Sequence, residues 1–187
     1  MLVPLAVLAV FVLLAVALYN SLVRLKVLVD NAWADIDVQL KRRHDLIPNL
    51  VETVKGYASH EKGTFEAVVA ARSKAMSVQS PEARGDAEIG LTAALGKLFA
   101  LAEAYPQLRA AENFSQLQGS LAQIEEAVQS ARRYYNAVVR DFNTKIAQVP
   151  WNIFASLFSF KSREFFQISD ETERAVAMMV EILRLSA

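Results

Sequence analysis

The first 18 residues of the chain form an uninterrupted apolar run. Met1–Leu18 contains no charged residue, and every position except Pro4 is hydrophobic. A run of this length meets the lower limit for a helix that crosses the ~30 Å hydrocarbon core of a bilayer. Tyr19 follows directly, at a depth that suits an interfacial aromatic side chain. The pattern therefore predicts a transmembrane helix over residues 1–18.

A cleaved signal peptide is the alternative interpretation of this run. Ala15-Val16-Ala17 resembles the small-residue cleavage site of such a peptide. However, a signal peptide requires a positively charged region before its apolar run, and no such region precedes this one. Helical patterning also continues without turn residues into Leu22, Leu25 and Val29. These features favour an anchor that remains in the membrane.

Beyond the apolar run, hydrophobic positions recur at helical spacing up to about Val149. A first heptad-like stripe is interrupted by Lys26 and Arg43. Its members are Leu22, Val29, Trp33, Ile36, Leu40, Ile47, Leu50 and Val54. Pro48 must kink or break this first helix, because proline lacks the backbone donor and clashes with the preceding turn. A second helix is predicted to follow and to end near Ser77.

Capping signals mark the next two helices. Ser80 is a suitable N-cap, with Pro81 in the first helical position of a third helix. Pro106 is predicted to end that helix. Asn113 and Gln116 resemble a capping box that opens a fourth helix.

The fourth helix carries the strongest pattern in the chain, with apolar or small residues three and four apart throughout. They are Phe114, Leu117, Leu121, Ile124, Val128, Ala131, Tyr135, Val138 and Phe142. Pro150 ends it, and a last amphipathic helix is predicted over residues 170–185. The fold class is therefore all-α, an N-terminal transmembrane helix followed by an antiparallel up-and-down four-helix bundle. The expected domains are an anchor (1–18), the bundle (19–149) and an aromatic-rich C-terminal segment (150–187).

The basic residues next to the apolar run predict its orientation. Arg24 and Lys26 lie just after it, whereas only the terminal amine lies before it. The positive-inside rule then places the N-terminus outside the cell and the domain in the cytoplasm, as a single-pass protein of the cell membrane.

Composition and motifs argue against several function classes. Lys+Arg and Asp+Glu balance at 20 each and there is no cysteine, which disfavours a basic nucleic-acid binder and excludes disulfides and Cys-ligated metals. His60-Glu61 begins like a zinc-protease motif, but Thr64 replaces the second histidine. We therefore predict a protein that is not an enzyme and holds no cofactor. Both histidines are expected on solvated surfaces, as is the basic run 41–44, for which phosphate contact is the alternative.

An aromatic segment follows the predicted bundle. Its rings and the basic residues among them are Trp151, Phe154, Phe158, Phe160, Lys161, Arg163, Phe165 and Phe166. If the chain reverses after Pro48, alternate passes of the helices return this segment to the bilayer. Aromatic and basic side chains together suit a membrane interface. Trp151, Phe154, Phe158, Lys161 and Arg163 are thus candidate interface residues. Alternatively, the rings cap the open end of the bundle core.

Long stretches of the chain resemble the LemA family. Its hallmark is matched by Ala32-Trp33 followed by IDVQLKRRHDLIPNLVETVKGYA over residues 36–58. ALGKLFA at 94–100, AEAYP at 102–106 and Phe142-Asn143 continue the match, which extends from about residue 19 to residue 166. Ser159 departs from the family, which usually has glycine there. The resemblance implies a bacterial protein with one N-terminal span and an antiparallel helical bundle, without an established activity, cofactor or catalytic residue.

Two functions remain open at this point. The first is a non-catalytic scaffold that recruits a protein partner at the cytoplasmic membrane face, since long apolar stripes favour helix–helix contacts within the bundle or with a second copy. The second is a membrane-organising protein that engages lipid through residues 151–166. The expected partners are the membrane and an unknown protein, with association of two copies as an option, but no nucleic acid.

Overall fold

The computed structural model describes residues 2–166, in which all regular secondary structure is helical. The helices are α1 (Leu2–Lys55), α2 (Lys62–Ser77), α3 (Pro81–Glu103), α4 (Pro106–Arg109), α5 (Glu112–Ala147) and α6 (Trp151–Leu157). The predicted all-α fold with one long apolar N-terminal helix is confirmed. The helix predicted over residues 170–185 lies outside the described residues.

Helix α1 continues through Pro48 for 54 residues. The pyrrolidine ring is exposed, while Ile47 and Leu50 on either side are buried. Tertiary packing of the flanking turns therefore outweighs the local cost of proline in a helix interior. The chain leaves the helix after Lys55 instead, and the second helix begins at Lys62.

The carbonyl freed by Pro48 has a specific partner. Proline has no N–H to donate to the residue four positions earlier, which is His44. Arg72 on α2 donates its Nε–H to that carbonyl oxygen at 2.7 Å. The backbone acceptor that the helix cannot use thus becomes an attachment point for α2.

Of the two predicted helix starts, one is confirmed and the other is wrong. Ser80 is the N-cap of α3, and its hydroxyl accepts from the Ala83 N–H at 3.3 Å, as expected. The capping box at Asn113 is wrong, because α5 begins one residue earlier and the Asn113 side chain accepts only from the adjacent Phe114 N–H. Pro106 lies beyond the end of α3 and also opens the short helix α4.

The chain divides into two compact units, and both α1 and α5 contribute to each. One unit comprises the chain up to Asp35 with Arg133–Phe165, and the other comprises Ile36–Arg132 with Phe166 onward. The second unit contains a large apolar core of buried side chains. It includes Ile47, Leu50, Val54, Phe65, Val68, Leu91, Leu95, Leu98, Phe114 and Leu121. Phe114 and Leu121, its members from α5 in this list, are positions that the spacing predicts.

In the first unit, α1 and α5 are joined by a return segment, residues 158–165. Trp33 packs on Tyr135, with ring centroids 5.3 Å apart. Asn143 on α5 holds the backbone of Arg163 twice, donating to its carbonyl at 2.9 Å and accepting from its N–H at 2.8 Å. Ser159 adopts φ 56°, in the left-handed region that favours glycine. This conformation explains physically why glycine suits the position.

Candidate functional site

The N-terminal half of α1 presents an uncovered apolar surface. Its most hydrophobic window of 18 residues has a mean hydropathy of 2.8, and no part of that window is buried. Counting from Leu2, where the described residues begin, Leu18 is the first buried residue. By length and composition, α1 is the one helix within residues 2–166 that could cross a membrane.

The aromatic segment meets α1 directly after this apolar surface. The Tyr19 ring centroid lies 4.7 Å from that of Phe158 and 6.0 Å from that of Phe160. Phe160 also contacts Phe142 on α5, at 6.4 Å. The structure therefore brings the end of the apolar run and residues 158–160 together.

The candidate interface residues differ in what they contact. Trp151 is partly buried beneath Lys145, whose ammonium lies 3.6 Å from the ring centroid. Phe154 is partly buried and stacks on Phe158 at 6.5 Å, while half of Phe158 remains exposed. These rings divide their surface between protein and solvent, and both expected roles, interface and cap, stay predictions.

The two basic residues of the segment are also not equivalent. Arg163 donates to Asp30 at 2.7 Å, which neutralises its charge locally. Lys161 is exposed and has no hydrogen bond or ion pair within the described part of the chain. Arg24 and Lys26 on α1 are likewise exposed and unpaired there. Lys161 and Lys26 are therefore available to an external anion.

Sequence reasoning missed the most exposed apolar residues of this region. Val149, Ile153 and Leu157 are 75%, 63% and 72% exposed. Their spacing of four places Ile153 and Leu157 on one face of α6. The spacing of Ile153 and Leu157 contained the signal for this apolar face, but the predicted interface was built from aromatic and basic residues alone.

A groove runs beside this aromatic contact within the first unit. Its volume is about 690 Å³. Apolar side chains from α1, α5 and the return segment line part of it, and Lys26 and Lys161 line another part. The lining residues that matter below are Tyr19, Val23, Lys26, Phe158, Phe160 and Lys161.

The second unit contains a buried charged cluster centred on Arg43. This side chain is 2% exposed and lies between two carboxylates, with Nη1 2.6 Å from Glu88 Oε2 and Nε 2.6 Å from Glu125 Oε1. Its remaining Nη2 donates to Thr92 Oγ1 at 2.8 Å. Helices α1, α3 and α5 each contribute a charged group to the cluster. The guanidinium occupies the position between the carboxylates that a bound cation would need.

His44 joins the same cluster, with Nε2 2.8 Å from Glu88 Oε1. The expectation of a solvated His44 and a solvated Arg43 is therefore wrong, whereas Lys41, Arg42 and His60 are exposed as expected. The sequence did contain a signal. Arg43 interrupts the apolar stripe at a position that faces the core.

The two glutamates respond oppositely to burial. Burial alone would raise the pKa of Glu88, but hydrogen bonding to His44 and the charge of Arg43 outweigh it and lower that pKa. Burial raises the pKa of Glu125, and Arg43 offsets this only in part, while the charge of Glu88 adds to it. Glu88 is therefore the firm anion of the cluster, and Glu125 is the carboxyl group that is easier to protonate.

Comparisons with known proteins agree with this architecture. The chain matches the model of the LemA family over residues 32–180. It is 25% identical to magnetosome protein MamQ 2 of Paramagnetospirillum magneticum, across 80% of this chain and 64% of that protein. It is 26% identical to Protein LemA of Metamycoplasma hominis, across 86% of this chain and 74% of that protein. The chain thus spans about 64% of the length of the magnetosome relative.

Proposed function

The chain belongs to the LemA family, and we propose that it is a membrane-anchored, non-catalytic scaffold that recruits a protein partner at the cytoplasmic face of the membrane. The observation that carries this proposal is the continuity of α1. One helix runs from the uncovered apolar surface at Leu2 into the buried core at Val54, without a flexible linker. A protein built this way connects its apolar run to its helical core through a single helix.

The Arg43 cluster supports a structural role over a catalytic one. Its acid groups are directed at Arg43 and His44, and both glutamates are 3% exposed or less. A catalytic acid or base must reach the proton that it transfers in a bound substrate. Charged groups that are this deeply buried and paired with one another instead hold helices in register.

An exposed apolar pair on α2 is the proposed recruiting surface. Val69 and Met76 are 55% and 48% exposed, and their spacing of seven places them on one face. Apolar side chains repeated at this spacing are the usual anchors for a partner helix laid along a surface. We therefore expect the partner to present an amphipathic helix to α2.

Site-specific photo-cross-linking in the intact membrane tests recruitment. A photoreactive amino acid placed at Val69 or Met76 of the full chain should give one discrete adduct. The same residue at Ala67 or Lys74, on the opposite face of α2, should give none. The adduct should also disappear when residues 1–18 are deleted. Equal labelling from both faces, or an adduct that persists without the anchor, would contradict the proposal.

A second candidate function is lipid engagement that organises the membrane, and the exposed face of α6 favours it. Ile153 and Leu157 are among the most exposed large apolar residues outside the span, and the helix that carries them continues into Phe158 beside Tyr19. A short apolar face next to a membrane span can enter the interface.

Liposome binding by the chain without residues 1–18 tests this second role. Ile153→Ser with Leu157→Ser should weaken binding about tenfold or more, because each buried large apolar side chain contributes roughly 1.5–3 kcal/mol. Val69→Ser with Met76→Ser removes comparable apolar area elsewhere and should leave binding unchanged. Equal losses for both pairs would show that no specific face inserts. Circular dichroism verifies that each shortened variant retains its helices.

A further inference from the structure

We propose that the groove beside Tyr19 binds the phosphate headgroup of an anionic phospholipid from the bilayer that holds α1. This inference rests on the proposed membrane anchoring and adds a ligand class to it. The occupant follows from three observations: unpaired positive charge in the groove, an apolar lining beside that charge, and the position of both at the end of the apolar run.

The charge balance of the groove favours an anion. Asp30 and Arg163 both line it but pair with each other at 2.7 Å. Lys26 and Lys161 also line it, are exposed, and have no ion pair or hydrogen bond within residues 2–166. The lining therefore carries two uncompensated positive charges from two different segments of the chain. A phosphate diester would complement them.

The height of Lys26 along α1 matches the headgroup region. Its Cα lies eight residues beyond Leu18, or about 12 Å further along the helix at 1.5 Å per residue. Side chains of a helix lean toward its N-terminus, which is here the membrane side, and lysine extends its ammonium toward the interface. The ammonium thus descends toward the polar headgroup layer, which is roughly 5–8 Å thick on each side of a bilayer.

The apolar part of the groove separates a lipid from a soluble phosphate. Tyr19, Val23, Phe158 and Phe160 line it next to the two lysines. The carbons of a glycerol backbone and the first part of an acyl chain would cover such side chains, whereas inorganic phosphate would leave them in water. Tyr19 also adjoins the apolar run directly, so a lipid can reach the groove without leaving the bilayer.

Native mass spectrometry of the full-length protein in detergent tests the proposal. Phosphatidylglycerol and phosphatidylcholine, with matched acyl chains, are added in equal amounts, and the bound adducts are counted. The wild-type protein should retain phosphatidylglycerol preferentially. Lys26→Gln with Lys161→Gln should reduce that preference on the order of 10- to 30-fold, since each basic residue near an anionic surface contributes substantially to binding.

Matched variants control for charge and folding. Lys62→Gln with Lys97→Gln makes the same charge change at exposed lysines of α2 and α3, and should leave the preference intact. Lys26→Arg with Lys161→Arg keeps the charge and should retain it as well. If the glutamine pair unfolds, loss of preference in the arginine pair still overturns the proposal.

Competing occupants give different outcomes in the same experiment. If inorganic phosphate displaces phosphatidylglycerol, the groove is a soluble-anion site and the proposal is wrong. If the glutamine pair changes the number of chains per micelle but not the lipid ratio, the groove is an interface between copies. Extraction of wild-type protein from membranes by alkaline carbonate would refute anchoring itself. Resistance to carbonate without lipid preference would refute only the groove.

Discussion

Arg43 shows how a buried charge can specify the arrangement of helices. Its guanidinium contacts Glu88 on α3 and Glu125 on α5, and its Nη2 donates to Thr92 on α3. Removing a charge from water costs several kcal/mol, and only close, well-directed partners offset that cost. The cluster therefore adds little net stability compared with an apolar core, but any arrangement that separates the partners is strongly disfavoured.

Replacing Arg43 should be far more costly than replacing its neighbour. Arg43→Met leaves two glutamates buried without their cation, and we expect it to lower the free energy of unfolding by about 3–5 kcal/mol. Arg42→Met changes an exposed arginine and should stay within about 0.5 kcal/mol. Thermal unfolding of the full chain in detergent, followed by circular dichroism, compares them. If adding Glu88→Gln and Glu125→Gln to Arg43→Met restores stability, unpaired buried charge is the cause of the loss. Equal melting temperatures for Arg43→Met and Arg42→Met would contradict the prediction.

The two glutamates should affect the pH dependence of stability with opposite signs. The pKa of Glu88 is lowered, so its contribution is present above its ordinary value of 4.5 and is lost as the pH falls through the lowered pKa. The pKa of Glu125 is raised, so its contribution is present below 4.5 and is lost as the pH rises through the raised pKa.

Melting temperatures at pH 7 and pH 4 check these signs. Glu88→Gln should destabilise the protein at pH 7 by about 1.5–3 kcal/mol, the usual size of a hydrogen bond to a charged group, and by less at pH 4. Glu125→Gln should stabilise it at pH 7, with the gain vanishing at pH 4. Glu66→Gln, at an exposed position of α2, corrects for the loss of one negative charge. Parallel behaviour of the two core variants would refute the opposite signs.

The apolar stripe contained the signal that Arg43 faces the core, although the basic run 41–44 was predicted to be solvated, and no sequence pattern indicates what Arg43 contacts there. The residue lies three positions after Leu40 and four before Ile47, on the apolar stripe. Its partner Glu88 lies 45 residues away, in a helix whose rotation no local pattern specifies. The wrong prediction of a solvated His44 has the same cause. The composition of a polar run does not reveal which of its members face the core.

At the scale of elements, Pro48 links α1 to α2. The unused His44 carbonyl accepts from Arg72, a charged donor on the next helix. Local sequence marked Pro48 as a position that kinks or breaks the helix, but α1 continues through it to Lys55. It could not indicate that α1 would continue, because continuation depends on buried neighbours such as Ile47 and on a donor 28 residues away. Ser80, by contrast, caps α3 through the backbone of Ala83, three residues on, and was predictable.

A double-mutant cycle should detect the Pro48–Arg72 link. Arg72→Met in the wild-type background loses a charged donor and should cost about 1.5–3 kcal/mol. In the Pro48→Ala background, the new backbone N–H serves the His44 carbonyl, and the same substitution should cost about 1 kcal/mol less. Denaturation of all four proteins gives the coupling free energy. Additive effects would show that Arg72 stabilises the protein in some other way.

At the scale of the whole molecule, the apolar run and the bundle are parts of one chain with different solvents. The 53% hydrophobic composition averages an uncovered span and a domain that buries its own core. The uninterrupted apolar run could be recognised from sequence alone, whereas the division into two compact units, each with parts of α1 and α5, could not. The exposed apolar face of α6 was not recoverable, because exposure of Ile153 and Leu157 depends on how the return segment is tied to α5.

Reporter fusions after Ala187 should reveal the orientation of the span. We expect a green fluorescent protein fusion to fluoresce and an alkaline phosphatase fusion to be inactive, since Arg24 and Lys26 favour the cytoplasm. Arg24→Gln with Lys26→Gln should give mixed orientation. Lys41→Gln with Arg42→Gln should leave the orientation unchanged, because both residues lie more than 20 residues beyond the apolar run. An active phosphatase on the wild-type chain would reverse the assignment.

Because α1 is unbroken, a change in the tilt of its apolar run is passed on along the helix. A hydrophobic span answers a change in bilayer thickness by changing its tilt. With no hinge between Leu18 and Asp35, the same rotation passes to the part of the helix that carries Tyr19 and Lys26. Polarised infrared spectra in oriented bilayers of increasing thickness should therefore report a steadily more upright helix, whereas an unchanging angle would contradict it. A span of this kind would convert the thickness of its membrane into the direction in which Tyr19 and Lys26 on α1 point.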